Sequence, residues 1–224
     1  MADAVRANYS SMGLARSPIA GTPAVSTVAT AGGKPGIFLR EQVAGTVLQI
    51  IARRGKADAV RAALHSSTGL EASAKPRRVA KDNAALVWSG PAQWLLMTNG
   101  GADIAAAAVT ALTGLASLSD QSDSRLHLEL YGPRTRDAMA KLVGIDVHPA
   151  TFPEGAAAMT AIADIPVHLW RLPDAAEGAA FVIAGPQSTS ASLWHHVVVA
   201  AEEYGLDAQP AHSGLPKYPS RNRS

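Results

Sequence analysis

The chain has 224 residues, 47% of them apolar and only 17% charged, enough for one generous domain or two small ones sharing a core. It has no cysteine, which excludes a disulfide framework, a cysteine-ligated zinc or iron–sulfur site and a thiol nucleophile. Its 20 basic and 18 acidic residues leave a net charge of +2, too even a balance for a nucleic-acid-binding protein.

Residues 1–36 hold Ser, Thr, Gly, Pro and Ala without periodicity and end in Gly32-Gly33-Lys34-Pro35-Gly36. They are expected to form an irregular arm, ordered only on a partner. The opening Met-Ala-Asp-Ala-Val-Arg carries an acid early and leads into no apolar run, so no secretory signal is expected. No stretch approaches the length of a membrane span, and a cytoplasmic location is expected.

A single α+β domain is expected over residues 37–206, with its body starting near Gly45. Thr46-Val47-Leu48-Gln49-Ile50-Ile51 is β-branched and apolar, hence a buried strand. Asp58 to Ser67 places Ala59, Val60, Ala63 and Leu64 on one helical stripe, with Gly69 as the stop. Ser73 to Asn83 is expected as a loop carrying Lys75, Arg77, Arg78 and Lys81. Ala85 to Trp88 and Trp94 to Met97 read as two strands around Ser89-Gly90-Pro91. Ile104 to Leu112 is an Ala-rich helix closed by Gly114.

A similar order then recurs. Leu126, Leu128 and Leu130 alternate with His127, Glu129 and Tyr131, the pattern of a half-buried strand. Asp137 to Val143 is a short amphipathic helix with an Asp137–Lys141 ion pair at i,i+4. Met159 to Ala163, Val167 to Leu172 and Phe181 to Ala184 read as strands. A longer helix follows, with Leu193, Trp194, Val197, Val198, Ala201 and Tyr204 on its stripe and Gly205 as its stop. Two related βαββα-type halves result, about 45–118 and 119–206, followed by a basic, irregular tail over 207–224.

Motifs that would carry chemistry are sparse. Gly32-Gly33-Lys34 leads into Pro35, which lacks both the N–H and the hydroxyl of a phosphate loop. Asn99-Gly100-Gly101 lacks the dinucleotide glycine pattern. No Gly-x-Ser-x-Gly elbow supplies a nucleophile. His195 and His196 are neighbours on a helix and point about 100° apart, one toward packing and one toward solvent. Asp146 and His148 lack a nearby third metal ligand. Asp120 and Asp123 flank a turn, either as caps or as a carboxylate pair for acid–base work. Trp88, Trp94, Trp170 and Trp194 lie among aliphatics, as core or interface residues or as a stack for a flat pterin-like ligand.

Five stretches in order resemble the gamma-subunit family of heterotetrameric sarcosine oxidase. The first is Trp88-Ser89-Gly90-Pro91-Ala92-Gln93-Trp94-Leu95-Leu96, and the second is Asp120 to Asp137. Asp146-Val147-His148-Pro149-Ala150-Thr151-Phe152-Pro153-Glu154-Gly155 and Ile165-Pro166-Val167-His168-Leu169-Trp170-Arg171 follow. The last is Ser192-Leu193-Trp194-His195-His196 with Glu203-Tyr204-Gly205. The similarity spans about Gly45 to Gly205.

The resemblance implies the fold of the folate-binding domain of the glycine-cleavage T-protein. It implies alpha, beta and delta subunits as partners, in an assembly that demethylates sarcosine oxidatively to glycine and passes the one-carbon unit to tetrahydrofolate. FAD and FMN would lie in beta, NAD and the folate site in alpha, and zinc in delta. The gamma subunit would carry no catalytic, cofactor-binding or metal-ligating residue and would brace the assembly. Where the T-protein has a Gly-Gly-Ile-x-Asp-Asp-like segment, this chain reads Ala163-Asp164-Ile165-Pro166-Val167-His168. The glycines and the acid pair are gone, so no folate site is carried over.

Three alternatives stay open at this point. The substrate of the assembly could be another N-methylated amine. A stand-alone folate-binding or one-carbon transfer protein would use Asp164 with Trp170, or Asp120 with Trp88. A nucleic-acid-binding module would use Lys75, Arg77, Arg78 and Lys81, against the even charge balance.

Overall fold

A computed structural model describes residues 17–27, 33–42, 45–99 and 102–211. Most of the expected N-terminal arm and the tail from residue 212 onward lie outside the described residues. Two strands, β1 (Val25–Ser26) and β2 (Ile37–Gln42), precede two runs of elements. The first run is β3 (Thr46–Ala52), α1 (Ala57–Thr68), β4 (Arg78–Lys81), β5 (Ala84–Gly90), β6 (Gln93–Thr98), α2 (Ala102–Ala111) and β7 (Ala116–Asp120). The second is β8 (Arg125–Gly132), α3 (Thr135–Leu142), β9 (Ala157–Ile162), β10 (Ile165–Ala175), β11 (Gly178–Pro186), α4 (Ser190–Glu202) and β12 (Leu206–Gln209).

Both runs therefore read βαβββαβ, one or two strands fuller than the sequence pattern predicted. The first forms a five-stranded sheet, β4-β5-β6-β3-β7. The second forms β9-β10-β11-β8 in the matching order, but β2 is inserted between β8 and β12, and β1 adds beyond β12. β2 runs antiparallel to β8 and parallel to β12. The strand β1 falls inside the stretch expected to be irregular, and β12 carries regular structure past residue 206 to Gln209.

The local reasons are those of the residue types. Gly69 takes φ +69° and returns its N–H to the His65 carbonyl at 2.9 Å, which ends α1. Val60 and Leu64 on α1, with Ala108 and Leu112, cover Leu48, Ile50, Leu86, Trp94 and Leu96 of the first sheet. On the second sheet, Ala138 and Met139 of α3 and Leu193, Trp194, Val197 and Ala201 of α4 cover Leu126, Leu128 and Leu130. The two sheets meet face to face over Val47, Val87, Leu95, Ala157, Trp170, Val182 and Ala184, with helices outside.

Three expectations are corrected. The Ser73 to Asn83 stretch expected as a loop holds β4, whose Arg78 to Lys81 pairs with Ala84 to Val87 of β5. β8 is buried on both faces: His127 and Glu129 are as enclosed as the leucines between them. Gln42 of the inserted β2 donates to Glu129 Oε2 at 2.7 Å, and His127 lies opposite Ala184, part of the core shared with the first sheet. The Asp137–Lys141 pair does not form. Asp137 bonds Arg134 at 2.5 Å, and Lys141 pairs with Glu203 past the end of α4.

Candidate functional site at the junction of the two sheets

The polar residues that the structure brings together lie beside the sheet–sheet core, and sequence reasoning did not single them out. Gln49 (β3) and Ser89 (β5) come from the first sheet. Arg125 and His127 (β8) and His168 (β10) come from the second. Alternation fixes which side chains face the junction: Arg125 and His127 lie on the face of β8 opposite Leu126 and Leu128.

Gln49 Nε2 donates to Ser89 Oγ at 3.0 Å, an amide that cannot take the hydroxyl proton. Arg125 Nη1 lies 3.2 Å from His168 Nδ1. Guanidinium has only donors, so Nδ1 accepts and the His168 proton sits on Nε2. The same ring hydrogen-bonds the Ser89 main chain, tying one sheet to the other. His127 is 2% exposed, its ring lies 6.1 Å from that of Trp170, and its Nε2 has no partner among the described residues.

Burial, and then the Arg125 charge, hold the His168 imidazole down to about 4. Burial, then Arg125 and His168, do the same to His127, also to about 4. Both rings are neutral at physiological pH, and burial lowers Arg125 itself. A neutral imidazole beside a serine hydroxyl would suggest a nucleophile–base pair, but Ser89 Oγ is engaged by Gln49 and His168 by Arg125. The arrangement joins two sheets rather than assembling a nucleophile with its base.

The residues predicted from sequence disperse. Asp164 is exposed in the β9–β10 turn, six residues and about 20 Å along β10 from Trp170. Asp120 ends β7, three strands and about 14 Å from Trp88 on β5. Its Oδ1 caps the turn by accepting from Ser122 N at 2.9 Å and Ser122 Oγ at 2.6 Å, while Asp123 points to solvent. Neither pairing supplies a carboxylate and a ring to one pterin. Trp94, Trp170 and Trp194 are buried, one in each hydrophobic cluster, and Trp88 is half-buried.

His195 and His196 are both exposed, where one was expected to pack. Asp146 accepts from the His148 N–H at 2.8 Å, which holds its carboxyl below the usual range. No group of three metal-ligating side chains occurs among the described residues. The basic run turns out to be a seam. Arg78 N donates to Gly155 O at 2.7 Å, Ala157 N to Pro76 O at 3.2 Å, and Arg77 Nη2 to Glu154 O at 3.2 Å, so this stretch stitches the first half to the second.

No helix of the structure is long and apolar enough to cross a membrane. The fold resembles that of the glycine cleavage system aminomethyltransferase T of Bartonella henselae, with a TM-score of 0.53 at 15% identity over 75% of this chain and 50% of that one. A chain of the heterotetrameric sarcosine oxidase of Corynebacterium sp. U-96 superposes with a TM-score of 0.73 at 28% identity, covering 86% of this chain and 97% of that one. In sequence, the sarcosine oxidase subunit gamma of the same strain is 33% identical over 165 residues, 70% of this chain and 78% of the relative. The subunit gamma of Arthrobacter sp is 33% identical over 136 residues, 60% of this chain and 67% of the relative. The model of the sarcosine oxidase, gamma subunit family matches residues 53–172, so the chain belongs to that family.

Proposed function

We propose that this chain is the gamma subunit of a heterotetrameric sarcosine oxidase and acts there as a bracing, non-catalytic subunit. The observation that carries the reading is the span of the likeness: almost the whole of one chain of a heterotetrameric sarcosine oxidase finds its counterpart here. The partners are the alpha, beta and delta subunits. The assembly demethylates sarcosine oxidatively to glycine and passes the one-carbon unit to tetrahydrofolate. FAD, FMN, NAD, tetrahydrofolate and zinc belong to those other subunits.

The site chemistry supports the bracing role. At the junction His168 bonds the Ser89 main chain across the two sheets, Gln49 engages Ser89 Oγ within the first sheet and Arg125 engages His168 within the second, while burial keeps the His127 ring neutral. The T-protein likeness concerns the fold alone, and fold does not assign folate binding.

The test is purification of the tagged chain from its native host. The expected result is a yellow complex holding a flavin-bearing chain, a large NAD-binding chain and a small zinc chain, with sarcosine-dependent oxygen uptake. A colourless chain recovered alone would overturn the reading. Saturable micromolar binding of a reduced folate by the isolated chain would overturn the non-catalytic assignment.

A further inference from the structure

The four sheet edges among the described residues are treated unequally. β1 is two residues long. β4 carries Arg78 and Lys81, and β7 carries Ser117, Ser119 and Asp120. Short length, charge and polarity are the usual means of blunting an edge. The fourth edge is β9, Ala157-Ala158-Met159-Thr160-Ala161-Ile162, with neither charge nor proline. Met159 on it is 54% exposed.

The pairing shows which backbone groups this edge offers. Ala163 (φ +46°) and Asp164 (φ +66°) form a two-residue turn of the mirror-image type that closes tight hairpins. Ile162 and Ile165 are then the hydrogen-bonded pair that closes the hairpin, so Thr160 and Ala158 also bond inward to β10. Ala157, Met159 and Ala161 turn their N–H and C=O groups outward. Ala157 confirms the parity, since its N–H goes out to the Pro76 carbonyl. The Pro76–Arg78 segment lies alongside Gly155–Ala157 as an added antiparallel strand and then leaves. From Met159 to Ala161 the backbone groups facing outward have no backbone partner among the described residues.

We infer that Met159–Ala161 of β9 is a strand-addition site, taken up by an extended, uncharged segment of another subunit that continues the line begun by Pro76–Arg78. This rests on the reading of the chain as one subunit of a hetero-oligomer. Main-chain bonds to Met159 and Ala161 set the register, and alternate apolar side chains of the incoming segment flank Met159 on one face. On the other face they reach a groove of about 330 Å³ lined by Leu142, Ile162, His196 and Val199, the last 54% exposed, with Lys141 also lining it.

The experiment is amide hydrogen exchange on the full-length chain, alone and in the complex obtained by co-expression with the other oxidase subunits. Exchange at Met159 and Ala161 is expected to slow about tenfold or more on assembly. Met159→Pro removes one outward donor, and proline is tolerated where a strand nitrogen faces solvent. It is expected to lower recovery of this chain in the complex about tenfold, the effect of about 1.4 kcal/mol, with the melting temperature of the lone chain unchanged. Should that variant fold poorly, Ala161→Lys at an exposed position carries the test with the same expectation. Unchanged exchange in the complex, or undiminished recovery of folded variants, overturns the inference. Loss of a homodimer of the lone chain in Met159→Pro also overturns it, in favour of a second copy. If the wild-type chain recovers no partner at all, the subunit reading itself fails, an outcome distinct from full assembly of the variants.

Discussion

The two halves share an element order but are assembled differently. The first is contiguous, from Thr46 to Asp120, and its core is aliphatic apart from Trp94. The second takes β2 from before the first half and β12 from the far end of the chain. It also encloses Glu41, His127, Glu129 and Arg171. One βαβββαβ plan thus supports a self-contained sheet and a sheet closed by the ends of the chain, and it is the second that buries ionisable groups.

The largest expected effects test whether the halves melt together. Trp194→Ala empties the core of the second half and Trp94→Ala that of the first. Each is expected to cost about 3–5 kcal/mol. Because the sheets share the Val47–Val87–Trp170–Val182 core, both variants are expected to give one denaturation transition. Two resolved transitions in either variant would break the picture of a shared core.

Acid separates the halves next. His127 and His168 are held at about 4 in the folded chain against an ordinary 6.5, so the unfolded chain binds protons that the folded one refuses. Their stabilisation is therefore complete above pH 6.5 and is lost as pH falls toward 4. For His127 alone the loss amounts to about 3 kcal/mol by pH 4. His127→Phe, which removes the unpartnered nitrogen, is expected to flatten this limb in urea melts across that range. An unchanged limb would place the acid sensitivity elsewhere.

Gly132→Ala comes third. Gly132 sits at φ +135°, and a Cβ there would lie 2.5 Å from the Gly36 carbonyl oxygen. The added methyl presses β8 against the inserted β2 and is expected to cost about 2–3 kcal/mol, read as a lowered denaturation midpoint. Gly55→Ala in the first half is a comparison: φ is +73° but nothing stands within 4 Å, so strain acts without a clash and the cost is about 1 kcal/mol. The smallest effect is Lys141→Ala. Its pairing with Glu203 and its place 4.9 Å over the Tyr204 ring are half-exposed, and the expected loss is under about 1 kcal/mol, shrinking further in salt.

The elements visible in the sequence were those with a clear apolar period or an alanine-rich run: β3, α1, β5, β6, α2, β8, α3, β9, β10, β11 and α4. Two causes account for the missed strands β2, β4, β7 and β12. β2 alternates Ile37, Leu39 and Glu41 on its buried face, and the glutamate breaks the apolar pattern. It is tolerated there because Ser17 Oγ and the Ala211 N–H donate to its carboxylate, though burial still raises its pKa. β4 and β7 are short edge strands with one pairing partner each, and β12 is only four residues long, so none of them needs a continuous apolar face. The junction cluster was hidden for a different reason. Nothing local distinguishes His127 from a solvent-facing alternate residue, since its burial comes from a sheet that begins 81 residues earlier. His168 gave a partial signal, as a histidine between Val167 and Leu169 in a strand flanked by Trp170, but its partner Ser89 lies in the other half.

The insertion of β2 between β8 and β12 also dictates an order of events during synthesis. Thr46 to Asp120 is complete once the middle of the chain has left the ribosome, and its sheet takes in no later strand, although its Val47–Val87–Leu95 face is covered only when the second sheet packs on it. β2, made earlier, has to wait for β8, and then β12, almost the last described segment, has to dock on its other side before the seven-stranded sheet is whole. A truncated chain that stops short of Leu206 therefore carries a finished first half and a second sheet with an uncovered β2. The cell's quality control would meet that product as an exposed strand rather than as an unfolded coil.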